Sequence, residues 1–148
     1  MNWNSYEIKK KNPWKSANEY SKDLSGLTIN LLVEDIKHTL QFLQKIINAK
    51  IIYQDPDFAA IEGFGSRWCI HSYHTYDNHP YINIIKSSKP KGLGIELRVI
   101  GCDPDRAEKR ARKENYVILS NSMNKPHGMR ECYILDNNGF CWVPSILV

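Results

Sequence analysis

The chain has 148 residues, 42% of them hydrophobic and 24% charged, with a formal net charge of +4; these are the proportions of a globular domain large enough to bury a real core. No run approaches the about 20 consecutive apolar residues that a membrane-crossing helix requires. Lys9, Lys10 and Lys11 are not followed by the apolar stretch of a secretory signal, so the cytoplasm is the expected compartment.

Residues 1–25 read as an extension, rich in Asn, Ser and Lys, with a short helix expected from Ser16 to Leu24. It carries Trp3, Tyr6 and Trp14, aromatics that seek cover on the domain or on a second subunit. The domain itself spans 26–148. Its first module, about 26–73, opens with a strand-like run from Leu27 to Val33 and continues into a helix capped by Asp35, where Ile36, Leu40, Leu43 and Ile47 share one face. Strands are expected at Lys50–Gln54, Phe58–Glu62 and Arg67–Tyr73, joined by turns rich in Asp, Pro and Gly. The connection 74–91 is aromatic and polar, too long for a simple turn, and a candidate lid, linker or subunit contact. The second module, about 92–146, repeats the order. A strand at Leu93–Val99 leads through Asp103-Pro104 into a helix, and strands are expected at Tyr116–Leu119, Arg130–Leu135 and Phe140–Val143.

A period of roughly 65 residues is too long for a solenoid unit and too short for two independent domains. The two halves are therefore expected to pack on one core, with a ligand site sought where they meet. The four cysteines, Cys69, Cys102, Cys132 and Cys141, contain no C-x-x-C pair, which argues against structural zinc and against a disulfide framework. Basic residues cluster on the second helix at Arg106, Lys109, Arg110, Arg112 and Lys113, interleaved with Glu108 and Glu114. No base-stacking module accompanies them, so a solvated helix face is the reading preferred over nucleic-acid binding.

The order βαβββ-βαβββ, with "LLVEDI" entering the first helix, "LRVIGCDPDRAEKRA" in the second module and "RECYILDNNGFCWVP" closing the chain, resembles the vicinal oxygen chelate superfamily of glyoxalases, bleomycin resistance proteins and extradiol dioxygenases. The resemblance covers about residues 26–145 and implies an α+β fold in which two βαβββ modules form a cupped mixed sheet with helices on the outer face.

Strand alternation selects the residues expected in the cup: Thr28, Asn30 and Leu32, then Arg67, Cys69 and His71, from the first module; Gly94, Glu96 and Arg98, Glu131 and Tyr133, and Cys141 and Val143, from the second. The positions at which the family's metal-dependent members carry ligands match Thr28, His71, Gly94 and Val143. Only His71 is a good donor, so no metal and no other cofactor is expected. A rearranged divalent site from His71, Glu96 and Glu131 is the alternative. His71, His74 and His79 have no known zinc spacing, and Tyr73, Tyr76 and Tyr81 are equally suited to stacking on a ligand or packing across a seam.

The resulting expectation is a small-molecule-binding protein, a homodimer without nucleic-acid or membrane partners, that takes an anionic or carbonyl-bearing molecule. Asn30, His71, Glu96, Arg98, His127 and Tyr133 are its ligand-binding candidates. Arg98 is expected to pair with Glu96 on its own strand face and present spare donors to the ligand. A lyase, isomerase or dioxygenase-like enzyme is the rival reading, with His71, Glu96, Glu131 and Tyr133 as catalytic candidates.

Overall fold

The computed structural model describes residues 15–148; the expected packing of Trp3, Tyr6 and Trp14 lies outside that range. The described chain begins with a six-residue helix, α1 (Ala17–Lys22), closed by a capping box in which Ser16 and Glu19 satisfy each other's backbone N–H groups. β1 (Asn30–Val33) then leads to α2 (Ile36–Phe42), where the Asp35 carboxylate accepts from His38 N at 2.9 Å. A π-turn at Leu43–Ile47 extends α2 and ends at Asn48 in the left-handed region. Its extra residue per turn widens the apolar face, so Phe42, Leu43, Ile46 and Ile47 are all buried.

β2 (Lys50–Gln54), β3 (Phe58–Gly63) and β4 (Ser66–Ser72) complete the first module. The connection that follows carries a 3-10 turn and α3 (Ile82–Ser87). The second module is β5 (Glu96–Ile100), α4 (Pro104–Lys113), β6 (Ile118–Asn124), β7 (Met129–Leu135) and β8 (Cys141–Leu147). Each module forms a four-stranded mixed sheet in the same relative order, β1-β4-β3-β2 and β5-β8-β7-β6, with its first strand parallel to its last. The repeat read in the sequence is thus a repeat of topology, in an α+β fold.

Both helices pack on the same side of the molecule and share one apolar core. Phe42 of the first module meets Tyr116 and Trp142 of the second at ring-centroid distances of 4.9 and 6.0 Å, and Trp68 meets Trp142 at 6.2 Å. Arg110 of α4 donates from Nε and a terminal nitrogen to Ile46 O, at 3.2 and 2.7 Å, satisfying a carbonyl that the π-turn leaves exposed to the core. At the opposite junction Asn137 and Asn138, on the β7–β8 turn, both donate to Thr39 Oγ1 of α2.

Four strand expectations need correction. β1 and β5 begin three residues later than Leu27 and Leu93, so Leu27, Ile29, Leu93 and Ile95 do not cover a helix and are exposed instead. Glycines in the left-handed region, Gly26 before β1 and Gly92 and Gly94 before β5, turn the chain out of the extended conformation at these points. β6 runs to Asn124 through the polar segment Ser120–Asn124, whose length apolar alternation does not show because β6 is the edge strand; β8 runs to Leu147, and there alternation fails because Trp142, Val143, Pro144 and Ser145 are buried in succession in a strand paired on both sides.

Candidate functional site

On the face of the first sheet turned away from α2, β1 contributes Asn30, β4 Cys69 and His71, β3 Phe58 and β2 Tyr53. The register sets Asn30 beside Cys69 and Phe58 beside His71. Asn30 is the hub: its Oδ1 lies 2.7 Å from His71 Nδ1 and accepts from the Cys69 thiol at 3.5 Å, while its Nδ2 donates to Tyr76 Oη at 3.4 Å. A carbonyl oxygen only accepts, so this network places the proton of a neutral imidazole on Nδ1 and leaves a lone pair on Nε2. Burial lowers the His71 pKa below 6.5, with the charge of Asp55 opposing. The imidazole is therefore neutral at pH 7. Burial also pushes the Cys69 thiol up to about 11, so Cys69 is no thiolate nucleophile despite its His and Asn neighbours.

This face forms one wall of a cavity of about 710 Å³, and α1 supplies another through Ala17, Tyr20 and Leu24. Tyr20 docks edge-on against Phe58, with ring centroids 5.9 Å apart, and Phe58 in turn stacks at a tilt on His71 at 4.7 Å. Asp55, at the β2–β3 turn, accepts from Tyr53 Oη at 2.8 Å and from the backbone N–H groups of Asp57 and Phe58 at 2.9 Å each. Tyr53, Asp55, Phe58 and Tyr20 escaped the sequence reading. A register shift between Ile51 and Tyr53 changes the parity of β2, so simple alternation cannot place Tyr53 on the open face. The Y-x-D-x-x-F spacing of this hairpin was the signal available.

The open face of the second sheet holds the other candidates. Arg98 pairs with Glu131, not with Glu96 as expected. Glu131 has no exposed side-chain surface and also receives His127 Nε2 at 3.2 Å and Tyr133 Oη at 3.3 Å. Burial opposes its charge, but the His127 hydrogen bond and the Arg98 and His127 charges hold its pKa below the ordinary 4.5. Lys125 Nζ sits 5.1 Å from the centroid of the Tyr133 ring, and Tyr133 has a raised pKa from burial and from the charge of Glu131. Glu96 stands exposed at the start of β5.

The six ligand-binding candidates thus fall into two groups. Asn30 and His71 belong to the first sheet; Glu96, Arg98, His127 and Tyr133 belong to the second, and among the described residues no hydrogen bond, ion pair or ring contact joins the groups. His71, Glu96 and Glu131 do not converge, and among the described residues no cluster of three or more His, Cys, Asp or Glu is arranged to hold a metal ion. Thr28 and Gly94 precede their strands. His74 turns away to Asp57 at 3.1 Å, and His79 accepts from Tyr81 N.

No protein-family model matches the chain, and no curated protein matches it in sequence. Its fold has many solved counterparts. A glyoxalase-related enzyme from Fulvimarina pelagi is similar at a TM-score of 0.65 and 13% identity, covering 82% of this chain and 87% of its own. A glyoxalase/bleomycin resistance protein/dioxygenase from Nocardioides is similar at 0.62 and 18% identity, with 88% and 92% covered. A glyoxalase/bleomycin resistance protein/dioxygenase family enzyme from Burkholderia phytofirmans is similar at 0.67 and 13% identity, with 82% and 97% covered. With two βαβββ modules of identical strand order and these structural counterparts, the chain has the vicinal oxygen chelate fold of the glyoxalase, bleomycin resistance and dioxygenase proteins.

Proposed function

We propose that this protein binds a small organic molecule between α1 and the open face of the first sheet, as a binding protein of the glyoxalase and bleomycin-resistance type. The observation that carries this reading is the cavity of about 710 Å³, which falls within the roughly 300–1,000 Å³ of small-molecule sites and combines the aromatic rings of Tyr20, Tyr53 and Phe58 with polar groups that include Ser16, Asp55 and His71. Phe58 offers a flat apolar surface, and His71 offers a lone pair at Nε2 held in place by Asn30. The fitting ligand is planar and largely apolar, and it presents a hydroxyl or the acidic C–H of an enolisable carbonyl compound to Nε2. Anion recognition, which the sequence assigned to the same cup, falls to the separate group around Arg98. The free thiols of Cys69, Cys102, Cys132 and Cys141 suit a reducing compartment such as the cytoplasm.

A second reading rests on the state of His71. A neutral imidazole of fixed tautomer is also equipped to act as a general base, as a metal-free lyase or isomerase would require. Calorimetry of planar hydroxy and carbonyl compounds against wild type, His71→Phe and Phe58→Ala tests the binding reading. A compound that binds wild type and loses at least about tenfold in affinity with each variant supports it; equal affinities for all three proteins remove the cavity from consideration. Conversion of a bound compound by wild type, with a rate that falls as His71 is protonated, favours the enzyme.

A further inference from the structure

The open face of the second sheet holds an arginine fixed by a buried carboxylate and flanked by exposed apolar side chains. The strand registers align Met123, Glu131, Ser145 and Ile100 in one row across β6, β7, β8 and β5. Glu131 and Ser145 in the middle of that row are fully buried, while Met123 and Ile100 at its ends are exposed. At an interstrand spacing of about 4.8 Å the two ends stand roughly 14 Å apart. Arg98 starts beside the fully buried Val143 and crosses β8 to reach Glu131. His127 and Tyr133 engage the same carboxylate, so Glu131 is held from three directions and in turn fixes the guanidinium.

We infer that this face binds a small organic molecule that joins one carboxylate to an apolar body, with Arg98 as the recognising group. One terminal nitrogen of Arg98 engages Glu131, and Nε and the other terminal nitrogen have no partner among the described residues. A guanidinium already oriented on one side offers its remaining donors in a planar fork, which matches the two oxygens of a second carboxylate. The charges around it favour a single negative charge over a double one. Glu131 and the exposed Glu96 offset Arg98 and Lys125, so with His127 neutral the face has no net charge and attracts no anion by its field alone. A dianion would meet twice the repulsion from the two carboxylates. Met123, beside Glu131, and Ile100, two residues beyond Arg98 on the same strand face, offer apolar surface to the rest of the ligand. The site is separate from the His71 cavity, so it stands or falls independently of the reading proposed for that cavity.

NMR titration tests it, with sodium benzoate as the probe and benzamide and inorganic phosphate as comparators. Benzoate at millimolar concentration is expected to shift the Arg98 Nε–H resonance, and benzamide and phosphate are expected to bind at least about tenfold more weakly. Arg98→Lys keeps the charge but loses the fork, and should weaken benzoate by at least about tenfold. Met123→Ser alters an exposed position and leaves the fold intact, and should weaken benzoate about threefold; it decides the matter should Arg98→Lys fail to fold. Arg106→Lys, at an exposed arginine on α4, and His71→Phe leave benzoate affinity unchanged. Four results overturn the inference: no shift at Arg98, equal binding of benzamide or phosphate, benzoate affinity indifferent to a folded Arg98→Lys or to Met123→Ser, or affinity lost in His71→Phe, which places benzoate in the first-sheet cavity instead.

Discussion

Glu131 shows how a single residue can be placed correctly in a strand and still be assigned the wrong neighbour. Alternation in β7 put Glu131 and Tyr133 on the open face, and both are there, but which cation meets the carboxylate depends on the registers of β5 and β7 against β8, the strand that lies between them, which set Arg98 beside Val143 and Glu131 beside Ser145 and which no local pattern encodes. Arg98 reaches across to Glu131 and leaves Glu96 in solvent. Removing Arg98 strands a buried carboxylate with only His127 and Tyr133 as donors. Because Arg98 itself is 41% exposed, the cost of Arg98→Ala is expected at about 2 kcal/mol, below the ~3–5 kcal/mol of a fully buried pair. The sign of the pH dependence follows from the lowered Glu131 pKa: its stabilisation is complete above the ordinary 4.5 and is lost as pH falls through the lowered value. Urea denaturation should therefore separate wild type from Arg98→Ala at pH 7 and bring them together in acid; a gap that persists in acid assigns the loss to packing. His71 makes the complementary case. Its depressed pKa means the unfolded chain takes up a proton before the folded one, so its contribution to stability is present above 6.5 and declines as pH falls below it. Carbon-13 NMR of the imidazole should report a neutral Nδ1–H tautomer at pH 7 with a midpoint below 6.5; a midpoint above 6.5 contradicts the buried, Asn30-anchored ring.

The β7–β8 hairpin is the element whose sequence says most about its construction. Asp136 is buried at the turn, where its Oδ1 accepts from Asn138 N at 2.8 Å and Phe140 N at 3.0 Å, and its Oδ2 accepts from Trp142 Nε1 at 3.0 Å. An Asp followed by Asn-Asn-Gly is the chemistry of an Asx-type turn, which is why the sequence located this hairpin. Asp136→Ala removes three acceptor contacts at once and leaves the Trp142 N–H buried without a partner. A loss of about 2–3 kcal/mol is expected by chemical denaturation, and an unchanged midpoint would mean that the turn holds without its carboxylate. Helix α2 was legible for a similar reason, since Asp35 and the four-three-four spacing of Ile36, Leu40, Leu43 and Ile47 are local signals, and all four side chains are buried. Strand starts were not. Leu27-Thr28-Ile29 and Leu93-Gly94-Ile95 alternate like strands, yet left-handed glycines just before or within them release the chain from the sheet. Tyr53 was hidden by the irregular pairing of β2, and the polar stretch of β6 by its place at an open edge. In each case the missing information is a partner strand's position, which depends on contacts remote in sequence.

At the scale of the whole molecule the repeat was read correctly as two halves on one core, but the candidate site was drawn as one cup. Modules that share their helix faces need not share their open faces, and here Asn30 with His71 and Arg98 with Glu131 form separate groups on separate sheets. The shared core has a thermodynamic consequence. Phe42 is fully buried at the end of α2 in the first module, and its ring contacts Tyr116 and Trp142 of the second. Trp142 also touches Trp68, so the apolar cluster runs without a break from one half to the other. A continuous core of this size in a chain of 148 residues favours unfolding as one cooperative unit. Phe42→Ala empties the centre of that cluster and is expected to cost about 3–5 kcal/mol. Its effect should also reach beyond its own module. Native-state hydrogen exchange followed residue by residue is the informative measurement, because amides that open only by global unfolding all lose protection by the same free energy. If the halves are one unit, the slowest amides of β4 in the first sheet and of β7 and β8 in the second fall together in Phe42→Ala. If instead β7 and β8 keep wild-type protection while β4 loses it, the second module is stable without the first, and the contacts through Phe42 and Trp142 join two independently folded halves.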